Sequence, residues 1–166
     1  MLTILPLEEE HLEYRVQLLN NKEVAQYLNI VEPFTIDKTI EWFRHRNLEV
    51  RFDCVFKNNE LIIGMGGLSN IAESNENAEL YIYMDPLFQG KGLGKKSLIE
   101  LCKYGFEELG LHKIYLYTFS SNVRANNMYE KVGFIREGYF REHTKKDGCL
   151  QDRCFYGLLV DEFLKK

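Results

Sequence analysis

An alternating run from Glu79 to Met84 (ELYIYM) stops at Asp85-Pro86. Three glycines, Gly90, Gly92 and Gly94, then lead into an amphipathic stretch from Lys95 to Leu109. Period-two patterning followed by helical patterning across so short a link specifies strand, turn and helix. In the second stretch Leu98, Leu101, Cys102, Phe106 and Leu109 fall on one face, and Gly110 stands where a helix C-cap is expected. The turn can do more than connect. Its backbone N–H groups can converge on an anion, the helix dipole adds attraction, and Lys91, Lys95 and Lys96 supply positive charge. The loop therefore reads as a phosphate site, although taken alone it is also compatible with a connector that holds nothing. A Walker loop is excluded, because Gln89 stands where that motif needs its leading glycine. The dinucleotide fingerprint is excluded too. The run is G-x-G-x-G, and no acid ends a second strand about 20 residues on.

The rest of the chain arranges itself around this segment. Residues 2–5 read as a strand, 8–19 as a helix with Leu12, Val16 and Leu19 aligned, and a short helix follows Asn20-Asn21 as far as Leu28. Pro33 marks a loop, and 36–48 return to helical spacing. Residues 51–57 and 61–69 read as strands joined at Asn58-Asn59, and Gly64, Gly66 and Gly67 in the second imply a bulge or a close backbone approach. Residues 78–84 complete the meander. Beyond the central helix come a strand at 112–119, a helix at 122–132 ended by Gly133, and two strands, 134–144 and 150–159, joined at Asp147-Gly148. This order predicts one mixed α/β domain over 1–166 with a βαβ unit at its centre.

Composition narrows the function. With 21 basic against 25 acidic residues the chain lacks the basic surplus of a dedicated nucleic-acid binder. No apolar stretch approaches the roughly 20 residues that cross a bilayer, so no membrane partner is expected. Residues 1–6 lack the basic and apolar regions of a signal peptide, which predicts a cytoplasmic chain with reduced thiols. Cys149, Cys154 and His143 fit no zinc spacing, and no metal is expected. His11 and His45 are read on helix exteriors, and His112 at the start of a strand, with no catalytic task. Tyr81, Tyr83, Tyr115 and Tyr117 alternate as half-buried packing residues do, with one of them available to line an acceptor pocket.

The run Gln89-Gly90-Lys91-Gly92-Leu93-Gly94 resembles the Q/R-x-x-G-x-G/A motif of the GNAT N-acetyltransferase superfamily. Downstream, Asn122 to Phe134 (NVRANNMYEKVGF) is similar to that family's N-x-x-A-x-x-x-Y-E-K-x-G-F. Residues 137–159 resemble the tail of the spermidine and ribosomal-protein N-terminal acetyltransferase groups. The resemblance covers essentially the whole chain. It implies a mixed, mostly antiparallel sheet splayed near its middle, with helices on both faces, and acetyl-CoA as co-substrate.

The resemblance also implies roles. The amides of Gly90, Lys91, Gly92, Leu93 and Gly94 would hold the coenzyme pyrophosphate, with Gln89 at the loop mouth and Lys95 beside it. The main chain of Ile82, Tyr83 and Met84 would run along the pantetheine arm like an added strand, and an amide there would polarise the acetyl carbonyl. Asn122 and Asn127 are assigned to the coenzyme. Tyr129 matches the tyrosine that protonates the departing thiolate; on helical spacing alone it reads equally well as a core aromatic. The attacking amine must first lose a proton, and Glu79 is the first candidate base, with Glu32, before Pro33, the second. The chain departs from the spermidine enzymes twice. It has Val31-Glu32 where they carry two acids, and Gly66-Gly67-Leu68 where they carry an acid in the third strand.

The expected function is acetyl transfer to a primary amine by direct attack in a ternary complex, since no cysteine or serine stands beside a base. A small amine, a polyamine, an amino sugar or a protein N-terminus would serve as acceptor, chosen by loops 20–36 and 70–77. A homodimer is kept as an option. The rival from another class is a non-catalytic acyl-CoA-binding module on the same scaffold.

Overall fold

The computed structural model describes residues 1–30 and 33–165. Its seven strands are β1 (Leu2–Pro6), β2 (Phe52–Asn58), β3 (Leu61–Ala72), β4 (Asn77–Met84), β5 (Lys113–Phe119), β6 (Ile135–Lys146) and β7 (Cys149–Leu159). They form one sheet in the order β1-β2-β3-β4-β5-β7-β6. Six helices accompany it: α1 (Leu12–Asn20), α2 (Lys22–Ala25), α3 (Ile36–His45), α4 (Leu93–Lys103), α5 (Val123–Val132) and α6 (Val160–Leu164). Each neighbouring strand pair is antiparallel except β4 and β5. A parallel pair needs a crossover, and the segment containing α4 supplies it.

Strand alternation divides the interior into two layers. Ala78 and Leu80 of β4 join Phe56, Leu68, Leu98, Leu101, Tyr129 and Tyr156 on the face covered by α4 and α5. Tyr83, from the other side of the same strand, joins Leu12, Leu19, Val24, Val55 and Met65 on the face covered by α1–α3. Each fully buried leucine contributes about 1.5–3 kcal/mol of transfer free energy, so both helix layers are held mainly by apolar contact. The expectation of helices on both faces of a mostly antiparallel sheet is met.

The register contains two irregularities that matter for the site. In β3, Phe56 pairs with Gly64 but Lys57 pairs with Ile62, so Ile63 is an extra residue and the strand bulges. Beyond the bulge the glycines sit under close neighbours. A Cβ on Gly67 would lie 2.3 Å from the Phe52 carbonyl and 2.8 Å from the Tyr81 hydroxyl. The second irregularity is between β4 and β5, which pair only at Asn77↔Lys113, Ala78↔Ile114 and Glu79↔Tyr115. After Glu79 the two strands have separate partners, β3 on one side and β7 on the other. This is the expected splay.

Several sequence expectations shift at their edges. Helix α4 begins at Leu93, two residues early, because Gly92 at φ +72° is its N-cap. It then widens into a π-turn over Tyr104–Glu108, where Leu109 N–H reaches back to the Tyr104 carbonyl at 3.2 Å. The wider turn rotates Leu109 off the buried stripe, leaving it 36% exposed. Helix α3 stops at His45 rather than Leu48. His11 is buried rather than exterior, and its Nδ1 accepts from Glu8 N–H at 3.0 Å. Asp147 and Gly148 both take positive φ, as a tight hairpin turn between right-twisted strands requires.

One buried charge cluster fastens α3 to the sheet. Asp53 of β2, its side chain fully enclosed, accepts two hydrogen bonds from Arg51, at 2.9 and 2.7 Å, and one from the Tyr81 hydroxyl. The Arg46 guanidinium lies 3.3 Å from the same carboxylate and 3.7 Å above the Phe43 ring. Trp42 of α3 carries Arg15 4.3 Å over its ring. Removing the carboxylate would strand two largely buried guanidinium groups. Asp53→Asn is therefore expected to cost about 3 kcal/mol of stability, read as a lower urea midpoint; an unchanged midpoint would show the cluster to be energetically idle.

Burial also pushes the phenols of Tyr81, Tyr83, Tyr129 and Tyr156 upward, the last to about 12. A raised folded pKa leaves stability intact below the unfolded value and removes it above. The urea midpoint is therefore expected to hold to about pH 9 and fall steeply past about pH 10, where unfolded tyrosines ionise. A flat profile through that range would contradict the assignment.

Candidate active site

The splay creates an unpaired main-chain edge. Along Leu80–Met84 the side of β4 that faces β5 has no strand partner, so its N–H and C=O groups are available to an extended amide chain. Ile82, Tyr83 and Met84 lie on this edge. At its far end Asp85 turns the chain: its carboxylate accepts from Leu87 N–H at 2.9 Å and from the Tyr14 hydroxyl at 2.5 Å.

The glycine loop follows directly. Gly90 and Gly92 take φ of +78° and +72°, and a Cβ on either would meet no atom within 4 Å, so backbone conformation rather than crowding calls for glycine there. Gly94 is different. A Cβ there would sit 3.4 Å from both Met84 and Met128, so the first turn of α4 packs between the end of β4 and α5. The only described partner for the amides of this turn is the Gly92 carbonyl, which Lys96 N–H reaches at 3.3 Å. The N–H groups of Leu93, Gly94 and Lys95 thus remain for an anion, with the positive end of an 11-residue helix behind them. Lys95 and Lys96 are exposed beside the loop, whereas Lys91 folds back to the Leu87 carbonyl at 3.4 Å. Gln89 is held at the loop mouth by Arg124 of α5, whose Nη1 donates to Gln89 Oε1 at 2.5 Å. A diphosphate and an extended amide arm fit this combination of free amides and unpaired edge.

Helix α5 carries the acid candidate. Asn122 is its N-cap, with Oδ1 accepting from Ala125 N–H at 3.3 Å, so that atom is already engaged. Asn127 is exposed. It is Asn126 that turns inward, its Nδ2 donating to the Phe119 and Ser120 carbonyls at 3.3 and 3.2 Å at the end of β5. Its Oδ1 is buried with no hydrogen-bond partner among the described residues. Tyr129 lies in the same buried layer as Leu80 and Leu116, with its ring 6.0 Å from Tyr156 and 5.9 Å from Phe134. Desolvation first, and Tyr156 second, hold its phenol protonated well above neutral pH.

Glu79 stands at the last β4–β5 pair, where the strands separate. Its Oε2 accepts from Asn70 Nδ2 at 2.9 Å. Glu79 lines a cavity of ≈ 610 Å³ with Asn29, Tyr117, Thr144 and Arg153. Glu32, the second candidate base, lies outside the described residues. The two ends of its loop are tied together, because the Asn20 amide bonds both the N–H and the carbonyl of Phe34 at 2.8 Å.

Sequence reasoning missed Arg124, Asn126 and Arg153. Arg124 and Asn126 sit inside the Asn122–Phe134 motif, at positions that the motif leaves unspecified. Arg153 is a lone guanidinium ahead of an apolar run in β7, and that isolation is its one signal in the sequence. Among the described residues, no three His, Cys, Asp or Glu side chains gather as metal ligands. No described helix is long and apolar enough to cross a membrane.

Comparison with known proteins agrees with this geometry. Residues 1–135 match the acetyltransferase (GNAT) domain family. The chain is 32% identical to a spermidine N(1)-acetyltransferase of Vibrio cholerae, over 99% of this chain and 96% of that protein. It is 34% identical to the Escherichia coli spermidine N(1)-acetyltransferase over 80% of this chain and 72% of that one. The crystal structure of the V. cholerae spermidine N-acetyltransferase in complex with CoA and spermine superimposes with a TM-score of 0.92 at 30% identity, covering 98% of both chains. The chain belongs to the GNAT acetyltransferase family and is an acetyl-CoA-dependent N-acetyltransferase.

Proposed function

We propose that residues 1–166 form a single transferase domain in which Tyr129 and Glu79 serve acetyl transfer to a primary amine from opposite faces of the splay. The observation that carries this reading is the alternation of β4. Leu80 packs in the layer that contains Tyr129, while Glu79 faces the cavity on the other side, so the unpaired edge lies between a buried phenol and a carboxylate. The free amides of residues 93–95 and the loop from Gln89 to Gly94 support a pyrophosphate there, and the edge at Ile82–Met84 supports the pantetheine arm.

The co-substrate supplies a thioester, at whose carbonyl the acceptor nitrogen forms a C–N bond while the C–S bond breaks. Glu79, directly or through one water, takes the proton that the ammonium must lose before its nitrogen has a lone pair. An N–H on the free edge of β4 stabilises negative charge on the carbonyl oxygen. Tyr129 delivers its proton to the departing sulfur and is reprotonated from the acceptor nitrogen. Cys54, Cys102 and Cys154 are buried, and burial raises the thiols of the first two, so neither of these is suited to carry a covalent acetyl group.

Four free thiols accord with a cytoplasmic location. The exposed edge strand β6, with Ile135, Tyr139 and Phe140 on its surface, is where a homodimer would form. The non-catalytic rival has no use for a buried, protonated Tyr129 opposite a carboxylate.

Tyr129→Phe is expected to lower kcat by about 10²–10³-fold while acetyl-CoA binding, followed by calorimetry, changes less than threefold. Equal losses in both would make Tyr129 a packing residue. Glu79→Gln is expected to lower kcat/KM at pH 7 by about 10²-fold, with partial recovery at higher pH as free amine accumulates. A pH-independent loss would remove Glu79 as the base.

A further inference from the structure

The cavity beside Glu79 is built for negative charge as well as for an amine. Among the described residues it has one carboxylate, Glu79, against Arg153, Lys145 and His143. Lys145 and His143 are exposed on β6, but Arg153 is held from beneath. Its guanidinium lies 4.8 Å over the Phe119 ring and 5.9 Å over Tyr117. Cation–π contact with two rings restrains the guanidinium, which reduces the entropy that a ligand must remove.

The fork is nearly unused. Nη1 makes one long contact, to Thr144 Oγ1 at 3.4 Å, and Nε is buried with no partner. Among the described residues Nη2 makes no hydrogen bond, and no carboxylate stands within 4 Å to neutralise the group. Glu79 is near enough to favour the charged guanidinium, yet desolvation outweighs it. A half-buried arginine with no carboxylate in direct contact is costly to keep unless something binds it. A polycation is poorly served by such a wall. The space where a second carboxylate could approach along β3 is closed, because the Tyr81 hydroxyl overlies Gly67 and is itself committed to Asp53.

We infer that the acceptor is a primary amine that also carries an oxyanion, a carboxylate or a phosphate. Its nitrogen lies at Glu79, and the Arg153 fork, with Lys145 at the rim, takes the oxyanion. This rests on the proposed transferase reading of the same cavity and adds the class of acceptor. Planar, paired N–H donors match either oxyanion, so the acceptor's source is left to the assay arms.

Thiol release at saturating acetyl-CoA would be measured for matched pairs differing only in the oxyanion: glucosamine 6-phosphate against glucosamine, and an amino acid against its amide, with spermidine alongside. The anionic member of at least one pair is expected to show kcat/KM at least tenfold above its neutral partner and above spermidine. The phosphate and carboxylate arms tell the two sources apart. Arg153→Gln is expected to erase that advantage by lowering kcat/KM for the anionic member about 10–100-fold, mainly through KM, and Arg153→Lys to restore part of it. Equal turnover or none across the pairs, spermidine as the best acceptor, or an Arg153→Gln enzyme that keeps the preference would each overturn the inference. Calorimetry with acetyl-CoA alone separates the two levels. Absent heat with the wild-type chain defeats the transferase reading itself, whereas normal heat with no anionic preference defeats only the choice of acceptor.

Discussion

Pairing between β4 and β5 ends at Glu79↔Tyr115, and the site depends on that early end. A parallel pair that ran to the ends of both strands would have satisfied the main chain of Leu80–Met84 within the sheet. Because β5 instead follows β7 and β4 follows β3, a row of polar groups is left exposed in the middle of the sheet rather than at its rim. Such a row would invite aggregation on an outer strand. Inside a wedge between two sheet halves it can be reached only by a narrow extended chain. The bulge at Ile63 and the glycines after it keep β3 close against β4, so the edge is backed by a rigid ladder.

The wedge also assigns the chemistry to sides. Strand alternation sends adjacent residues to opposite faces, so a residue at the apex and its neighbour look into different layers. On one side the layer is apolar and dry, which keeps the Tyr129 phenol protonated because an anion there would lose its hydration. On the other the layer opens into a cavity with polar walls, where a carboxylate can exchange protons through water. One sheet thus carries a phenol that is hard to ionise and a carboxylate that lines an open cavity, the two groups proposed as acid and base.

Much of this was legible in the chain. The glycine loop at 89–94 and the segment 122–134 specified strand, turn and helix at the right places, because backbone needs such as positive φ at Gly92 translate directly into residue type. The role proposed for Tyr129 comes from its motif, since helical spacing alone serves a core tyrosine equally well. The missed positions have another origin. Asp53 sits in RFDCVFK, where a charged residue reads as a solvent-facing strand position; its partners include Arg46, next to a helix earlier in the chain, and Tyr81, two strands away. Asn126 and Asn127 are adjacent in sequence, and only the rotation of α5 about its axis decides which one turns to the end of β5. Arg153 depends on the β6–β7 register, which slips twice, between Arg136 and Gly138 and between Phe140 and Thr144. Each slip changes which side chains of β6 face the cavity, and no periodicity argument captures that.

Likeness to spermidine acetyltransferases extends over the whole chain, yet it bears unequally on the two substrates. The proposed coenzyme side is made of main-chain amides and a free strand edge, features that any sequence with the right glycines and turns reproduces. Conservation of the fold at a TM-score of 0.92 carries that side with it. The proposed acceptor side is made of a few side chains on β4, β5, β6 and β7, each replaceable without disturbing the sheet. The charge of that wall comes from side chains alone, Glu79 against Arg153, Lys145 and His143 among the described residues. At about 30% identity the backbone is a strong guide to the reaction. The acceptor is decided by side chains that the other 70% are free to rewrite.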